Sequence, residues 1–533
     1  VLDLILAGGT VVDGTGAPPR RAEVGIESGR IAVVGDAAGR EACEVIDVTG
    51  LVVAPGAVDI HSHADFTLLV DGRAHSSVLQ GITTVAVGNC GHGLAPVEPH
   101  AVEAARMATF CCRSEWEHAG APGSFEDYLT ALERERPAVN VVPLVPHGAL
   151  RLNVAGFELR SLTRLEIDRL TGMVREAMEA GAAGLSTGLE YAPGIAASEE
   201  ELRAVCEPVG AHGGLYATHC RNREEAIVDA AREASSIAFG SGCRLQLSHF
   251  VRRPSSPADG GALERQAREL ALEQGARAGL GIAFDVFPFT FGPTPLSSLL
   301  PQEQRAGTRA EMAALLAAGP GAADTRVAAV LQGGIGAEMY VVSDGGRNRH
   351  IGKSLAQVAA DLELTVPQAA YALLADAGED FYDVVVVERW AGDSDLDRAV
   401  LDDDFCLMGD GVTGALDGPL SDLAFSLSDW GWVVRSLAHY VRDTGQLPLE
   451  RAIHRMTLAP ARQLGLTDRG ALEPGMAADV AVFDLDTVGT PVTPENLIAR
   501  PRGVPHVLVN GRFAVRDGEP TTERRGAVGR RRR

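Results

Sequence analysis

No apolar run in the chain reaches the ~20 residues that a membrane-spanning helix needs; the longest, such as "VVAPGAV" and "YDVVVV", stop far short. A membrane partner is therefore not expected. Positive charge is scarce as well. Asp and Glu number 71 against 48 Lys and Arg, a formal charge of −23, which repels phosphate over most of the surface and argues against nucleic acid. The one basic stretch, "ERRGAVGRRRR", closes the chain, and residues 521–533 are expected to be a disordered, solvated tail. Cysteine is sparse and unpatterned: Cys43, Cys90, Cys111, Cys112, Cys206, Cys220, Cys243 and Cys406 include no C-x-x-C pair. No charged-then-apolar leader is visible either, so the expectation is a reducing, cytoplasmic setting and no disulfide framework. Most of these thiols read as small core residues; Cys90 is a separate case. The spaced glycines of "GLSTGLEYAPG" lack the lysine and hydroxyl residue of a P-loop, which removes a phosphate cradle from the candidates.

What is present is β texture at both ends and βα alternation between them. Hydrophobic residues make up 46% of the 533, enough for a large core. "LDLILAGGTVVDGTG", "AEVGIESGRIAVVGD" and "EVIDVTG" open the chain, and the same texture returns in "GALEPGMAADVAVFD" and "VPHVLVNGRFAVRDG". Segments 1–54 and 464–520 are expected to meet as one small β-sandwich, with residues 55–463 forming an α/β body between them. In that body, eight apolar strands alternate with amphipathic stretches such as "RLTGMVREAMEAGA" and "EEAIVDAAREASS". The fold class this predicts is a TIM-like (β/α)8 barrel, with a Pro-, Gly- and Ala-rich insertion over about 290–344 after the seventh strand.

The strand ends carry the chemistry. In order they present His61 and His63, Cys90, His147, Glu190, His219, His249, Asp285 and Asp410. His61 and His63 in "VDIHSHADF" are two apart, hence on one side of a strand. Alone, such a pair is as easily a locally satisfied one as a metal site. Reactive residues at eight successive strand ends, where a barrel gathers its active site, decide for the metal. Imidazole, thiolate and carboxylate are zinc donors, and a hydrolytic site needs three of them with a position left for water. A bound divalent ion lowers the pKa of water to about 7 and polarises a carbonyl. A carboxylate beside it can take the proton and return it to a leaving amine, a role that Asp410 in "MGDG" fits.

"APGAVDIHSHADF", "VGNCGHGLAPV", "GLSTGLEYAPG", "YATHCR", "LQLSHF" and "GDG", followed by "LGLTDRGALEPGMAADVAVFD", resemble the N-acyl-D-amino-acid deacylases (D-aminoacylases) of the amidohydrolase superfamily, from Leu2 to Arg516. The resemblance implies zinc-dependent hydrolysis of the amide bond of an N-acyl-D-amino acid or a close relative. It implies a tightly held zinc on Cys90, His219 and His249, a weaker second site at His61 and His63 with Cys90 able to bridge, Asp410 as general acid/base, and Tyr191 near the substrate. Three departures stand out. Where the family often has "SHxK", this chain reads "SHFVRRP"; "DVYPYTA" becomes "DVFPFTF", so that Phe287 and Phe289 lack phenolic hydroxyls; and an "HPR" stretch after the last-strand aspartate is missing. In the family these polar groups lie around the substrate and help hold its carboxylate. Arg252 is the expected substitute, with His147 and Glu190 as further substrate-side candidates, Glu190 and Asp285 as supports for ligands, and His92 as a positioning residue.

The alternatives are an amidase for a carboxylate-free or peptide-like D-amino-acid substrate, and a hydantoinase-like hydrolase of cyclic amides. The latter usually bridges two metals with a carboxylated lysine, and "GLSTGLEY" offers none. A non-catalytic scaffold is disfavoured because every candidate ligand is intact. The expected partner is a small-molecule amide; the sequence does not fix the oligomeric state. His75, His100, His118, His212, His350, His439, His454 and His506 read as surface or structural.

Overall fold

The computed structural model describes residues 1–37, 39–107, 123–254, 260–300, 309–319 and 336–530; Cys111, Cys112 and His118 lie outside these ranges. Eight short strands make the body: β1 (Ala57–Asp59), β2 (Ile82–Val87), β3 (Asn140–Pro146), β4 (Gly184–Gly188), β5 (Leu215–His219), β6 (Arg244–Leu247), β7 (Ile282–Val286) and β8 (Phe405–Leu407). Each pairs in parallel with the next. They are apolar runs because helices and barrel interior cover both faces, and every residue of β2 is buried. The helices are specified locally. Arg164–Ala180 starts with a reciprocal Thr163–Glu166 cap, ends at Gly181 in the left-handed conformation (φ 117°), and buries Ile167, Leu170, Val174, Ala177 and Met178 along one stripe.

The ring closes beyond the strand ends. Asp410 N donates to His61 O at 2.8 Å, His63 N donates to Gly411 O at 2.7 Å, and Ser62 pairs with Gly411. The seam between first and last strands is thus built by the segments that carry three candidate site residues.

The two chain ends meet as expected. Val52–Pro55 pairs antiparallel with Val480–Phe483, which joins the N-terminal strands to a seven-stranded sheet. A four-stranded sheet of Arg30–Gly35, Glu23–Glu27, Leu2–Ala7 and Ala42–Asp47 lies beside it. Leu4, Leu6, Val24, Ile26, Val53, Val480, Val482 and Leu508 form the core these strands share. Gly56 joins sandwich to barrel where Thr83 packs so closely that a Cβ would sit 2.1 Å from its methyl carbon.

Two expectations change. The insertion reaches past 344: Phe291–Pro295 and Tyr340–Asp344 flank Val384–Arg389 in a three-stranded antiparallel sheet. Leu296, Met312, Val341, Leu355, Leu374, Phe381 and Val386 give it a core of its own. Its central strand opens on the four valines Val384–Val387, an apolar stretch that carries no period from which to assign it.

The tail is also not free. Ala527 O accepts from Val141 N at 2.9 Å, Gly529 N donates to Val141 O at 2.7 Å, and Val528 pairs with Val141. β4 joins β3 only from Leu144 onward, so the first residues of β3 present an edge that this segment covers. Arg530 is held between Glu126 (2.6 Å) and Glu133 (2.7 Å). Deleting residues 526–533 removes these bonds together with Gly526 N to Pro137 O and Ala527 N to Asn140 Oδ1. At roughly 1 kcal/mol per bond the loss is about 2–4 kcal/mol. Thermal unfolding of the truncated chain is expected several degrees lower; an unchanged midpoint would contradict the pairing. Among the described residues, no helix is long and apolar enough to cross a membrane.

Candidate metal centre

The donors converge at the carboxyl mouth of the barrel. Cys90 Sγ lies 3.2 Å from His61 Nε2, 3.5 Å from His249 Nε2 and 3.9 Å from His219 Nδ1. Asp410 Oδ1 is 3.1 Å from His63 Nε2 and 3.4 Å from His61 Nε2. Three overlapping groups each gather their ligand atoms within 4.8 Å of one another: Cys90, His219 and His249; His61, His63 and Cys90; His61, His249 and Asp410. All six residues are buried.

The backbone is bent to bring them there. Cys90, His249 and Asp410 all have left-handed φ, at 53°, 35° and 54°, a conformation that costs a non-glycine residue energy and gathers at functional sites. The Cys90 turn is held from both sides. Ser186 Oγ donates to Gly88 O and accepts from Gly91 N, and the Asn89 amide donates to Ala86 O at 3.0 Å.

An amidohydrolase family model matches residues 44–238 and 407–515. The N-acyl-D-glutamate deacylase of Alcaligenes xylosoxydans xylosoxydans is 34% identical over 99% of this chain and 97% of its own length. The D-aminoacylase of the same organism is 34% identical over 96% and 93%. Both likenesses run through sandwich and barrel together. The chain belongs to the amidohydrolase family, in its N-acyl-D-amino-acid deacylase branch. In structure, this deacylase-family chain is similar to the N-acyl-D-glutamate deacylase from Bordetella bronchiseptica, solved with zinc and a phosphonate that mimics the tetrahedral intermediate of its reaction. The TM-score is 0.80 at 30% identity, with 99% of each chain covered.

The outer partners of the amidohydrolase site fit a metal. His219 turns Nδ1 inward and donates Nε2–H to Glu190 Oε2 at 2.6 Å, an arrangement that fixes the tautomer and raises the basicity of the ligating nitrogen. Asp285 accepts from His249 N at 2.5 Å and from Gln246 Nε2 at 2.7 Å, and stands 3.6 Å from His61 Nδ1. Burial pushes the Cys90 thiol up, but His61, His219 and His249 outweigh it and hold the group well below the usual thiol range, as a ligating thiolate requires. Burial and the Arg223 guanidinium push His249 down to about 4, so it is uncharged at neutral pH. Arg223 Nη1 lies 2.9 Å from His249 Nδ1 and 3.3 Å from His249 O; the carbonyl is the acceptor left to it when that ring carries its proton on Nδ1.

Burial resists charge on His63, but Asp410 and Cys90 prevail and lift it to about 9. A cation at this corner must displace that proton. Zinc binding at pH 7.5 is accordingly expected to release protons, seen in calorimetry as an enthalpy that varies with the ionisation enthalpy of the buffer. No such variation would contradict the His63 assignment.

The remaining sequence-assigned residues divide. Tyr191 is at the site: its hydroxyl donates to Cys90 O at 2.7 Å, and its ring stacks on His92 at 4.9 Å and meets His219 edge-on at 5.0 Å. Glu190 holds His219, as described. His147 turns into the core. It opens the helix His147–Ala155 fully buried, with Nε2 2.8 Å from Glu201 Oε1, which also holds Arg151. Arg252 turns away too, donating to Asp395 Oδ2 at 2.7 Å. The arginines that do reach the site are Arg223 and Arg253, at 3.2 Å and 3.0 Å from Glu190 Oε2. "THCRNR" and "SHFVRR" place an arginine four residues after His219 and after His249, a spacing that could have flagged both.

Proposed function

We propose that the chain hydrolyses the amide bond of N-acyl-D-amino acids at a zinc centre held by Cys90, His219 and His249, with a weaker second position at His61 and His63. The observation that carries the reading is the meeting of these donors with Asp410 in a chain 34% identical, end to end, to an N-acyl-D-glutamate deacylase. Zinc held there supplies Lewis acidity, which makes water nucleophilic at neutral pH and polarises the acyl carbonyl. The protein supplies the rest. Burial opposes ionisation of Asp410, but His61 and His63 pull its carboxyl down to about 2. It is therefore ionised at working pH and positioned to take the proton of the attacking water, then deliver it to the leaving amine. The Tyr191 hydroxyl, bonded to the Cys90 carbonyl, closes one wall over this point. Phe425 closes another, its ring 5.8 Å from that of His63. A cytoplasmic setting suits a site that depends on a thiolate, and Cys206, Cys220, Cys243 and Cys406 are buried and unpaired.

The test is turnover of a panel of N-acetyl-D- and N-acetyl-L-amino acids before and after chelation. Hydrolysis of D-substrates that is lost with the metal and restored by zinc is expected. Cleavage of cyclic imides in preference to every linear amide would overturn the reading.

A further inference from the structure

A cavity of about 590 Å³ lies between the helical segment Ser436–Asp443, in the stretch after the last barrel strand, and the loop that follows Val480–Phe483. Arg435, His439 and Arg442 line it from the barrel side, and Arg502 with residues 486–490 lines it from the sandwich side. None of these belongs to the metal-donor groups. A cleft of this volume at the junction of two structural units is an ordinary setting for a small ligand. Ser436–Asp443 is also wound as a π-helix, Thr444 N donating to His439 O at 3.0 Å. That winding is rare and gathers at functional sites.

Three guanidinium groups gather here in a chain of charge −23. Elsewhere such groups are paired: Arg469 bonds Asp468 and Asp479, and Arg516 bonds Glu44. Around the cavity they are largely unspent. Arg435 uses Nε on Pro288 O at 3.1 Å and rests on the Phe289 ring. Arg442 gives Nε to Asp443 at 2.7 Å, and Nη1 to Val488 O at 2.6 Å and Leu485 O at 3.3 Å. Among the described residues, both Nη groups of Arg435, Nη2 of Arg442 and the whole Arg502 fork donate to no protein acceptor. Arg502 is held by its backbone, which exchanges two hydrogen bonds with Gly489 at 2.9 and 3.2 Å. Of the two carboxylates on the wall, Asp443 is taken by Arg442 and Asp486 is exposed, so the guanidinium groups stay in excess.

We propose that this cavity binds a phosphate group, free or carried by a small molecule, at a site separate from the metal centre. Arginines brought together from three backbone positions suit a tetrahedral phosphate, which offers at least three oxygens to charge-assisted bonds. A carboxylate offers two and fills a single fork. His439 is kept below the usual imidazole range by burial and by Arg435, so at neutral pH it adds a hydrogen-bonding nitrogen and no charge. The exposed Asp486 can accept from a ligand hydroxyl. The cavity is larger than a bare phosphate, which leaves space for an esterified group. The inference goes beyond the amide-hydrolase reading and is independent of it, because binding is measured without turnover.

The experiment is isothermal titration of the zinc-loaded enzyme with inorganic phosphate, glycerol 3-phosphate and succinate at one ionic strength. Both phosphates should bind with a Kd of about 1 mM or less, and succinate at least about tenfold more weakly. Tighter binding of glycerol 3-phosphate identifies an esterified ligand, and tighter binding of inorganic phosphate the free ion. Arg502→Ala removes a side chain that bonds nothing among the described residues and keeps the backbone bridge to Gly489. It should fold with an unchanged unfolding midpoint and lose about tenfold or more in phosphate affinity. Arg442→Met should lose a similar factor. Arg462→Met, an exposed control on Leu458–Leu464, should change it less than about twofold. Phosphate that binds Arg502→Ala and Arg442→Met as well as the wild type occupies another place, such as the metal centre, and overturns the proposal. So do equal weakening by Arg462→Met, a preference for succinate, or no binding up to about 10 mM.

Discussion

Asp410→Asn is expected to lower kcat by about 10²- to 10⁴-fold, the contribution of a positioned proton-transfer group, with the tight zinc retained and the fold unchanged. The variant is a clean probe because asparagine tolerates the left-handed backbone that Asp410 adopts at φ 54°. Its amide oxygen can still accept from His63, whose Nε2 stands 3.1 Å from the carboxylate, while Cys90, His219 and His249 are untouched. What the amide cannot do is take a proton. The two histidines that hold the carboxyl down at about 2 keep the wild-type group ionised throughout the neutral range. The loss should therefore be flat from pH 6 to 8 and should not be rescued by raising the pH. Steady-state kinetics beside zinc analysis reads both. Near-normal turnover in this variant would remove Asp410 from the reaction.

Cys90→Ala should be more damaging. Cys90 is the residue common to the Cys90–His219–His249 and the His61–His63–Cys90 groups, so its loss strikes both positions. Removing a supporting partner of a ligand costs 10- to 100-fold in metal affinity, and removing the ligand itself is expected to cost about 10³-fold or more. Alanine keeps the Cβ, so the strained turn at φ 53° and its bonds to Ser186 and Asn89 are preserved. The variant should fold, purify without tightly bound zinc, and show no activity at stoichiometric zinc. Retention of one zinc per chain after dialysis would contradict the ligand set.

Much of this centre was legible because strands buried on both faces read as apolar runs and the residue ending each run stands out. Cys90, His219, His249 and Asp410 were visible in that way, as were His61 and His63 by their spacing. Side-chain direction was less accessible. The left-handed turn at His249 (φ 35°) breaks the alternation that strand geometry supplies, so Arg252 points to Asp395 and its neighbour Arg253 to Glu190. His147 ends a strand and also begins a helix, and the helix carries its ring into the core against Glu201. The docked tail is hidden for another reason. Its composition is that of a solvated end, whereas the edge it covers on β3 exists only once β4 has paired from Leu144 onward. The closing seam between Ser62 and Gly411 is likewise a tertiary product; β1 and β8 are three residues each, too short to announce it.

X-ray absorption at the zinc edge tests the central claim most directly. For the protein loaded with one equivalent of zinc, a single sulfur shell at about 2.3 Å and nitrogen scatterers at about 2.0–2.1 Å with imidazole multiple scattering are predicted, the sulfur shell disappearing in Cys90→Ala. A first shell of oxygen and nitrogen alone in the wild type would contradict the assignment of Cys90, His219 and His249 as the tight site.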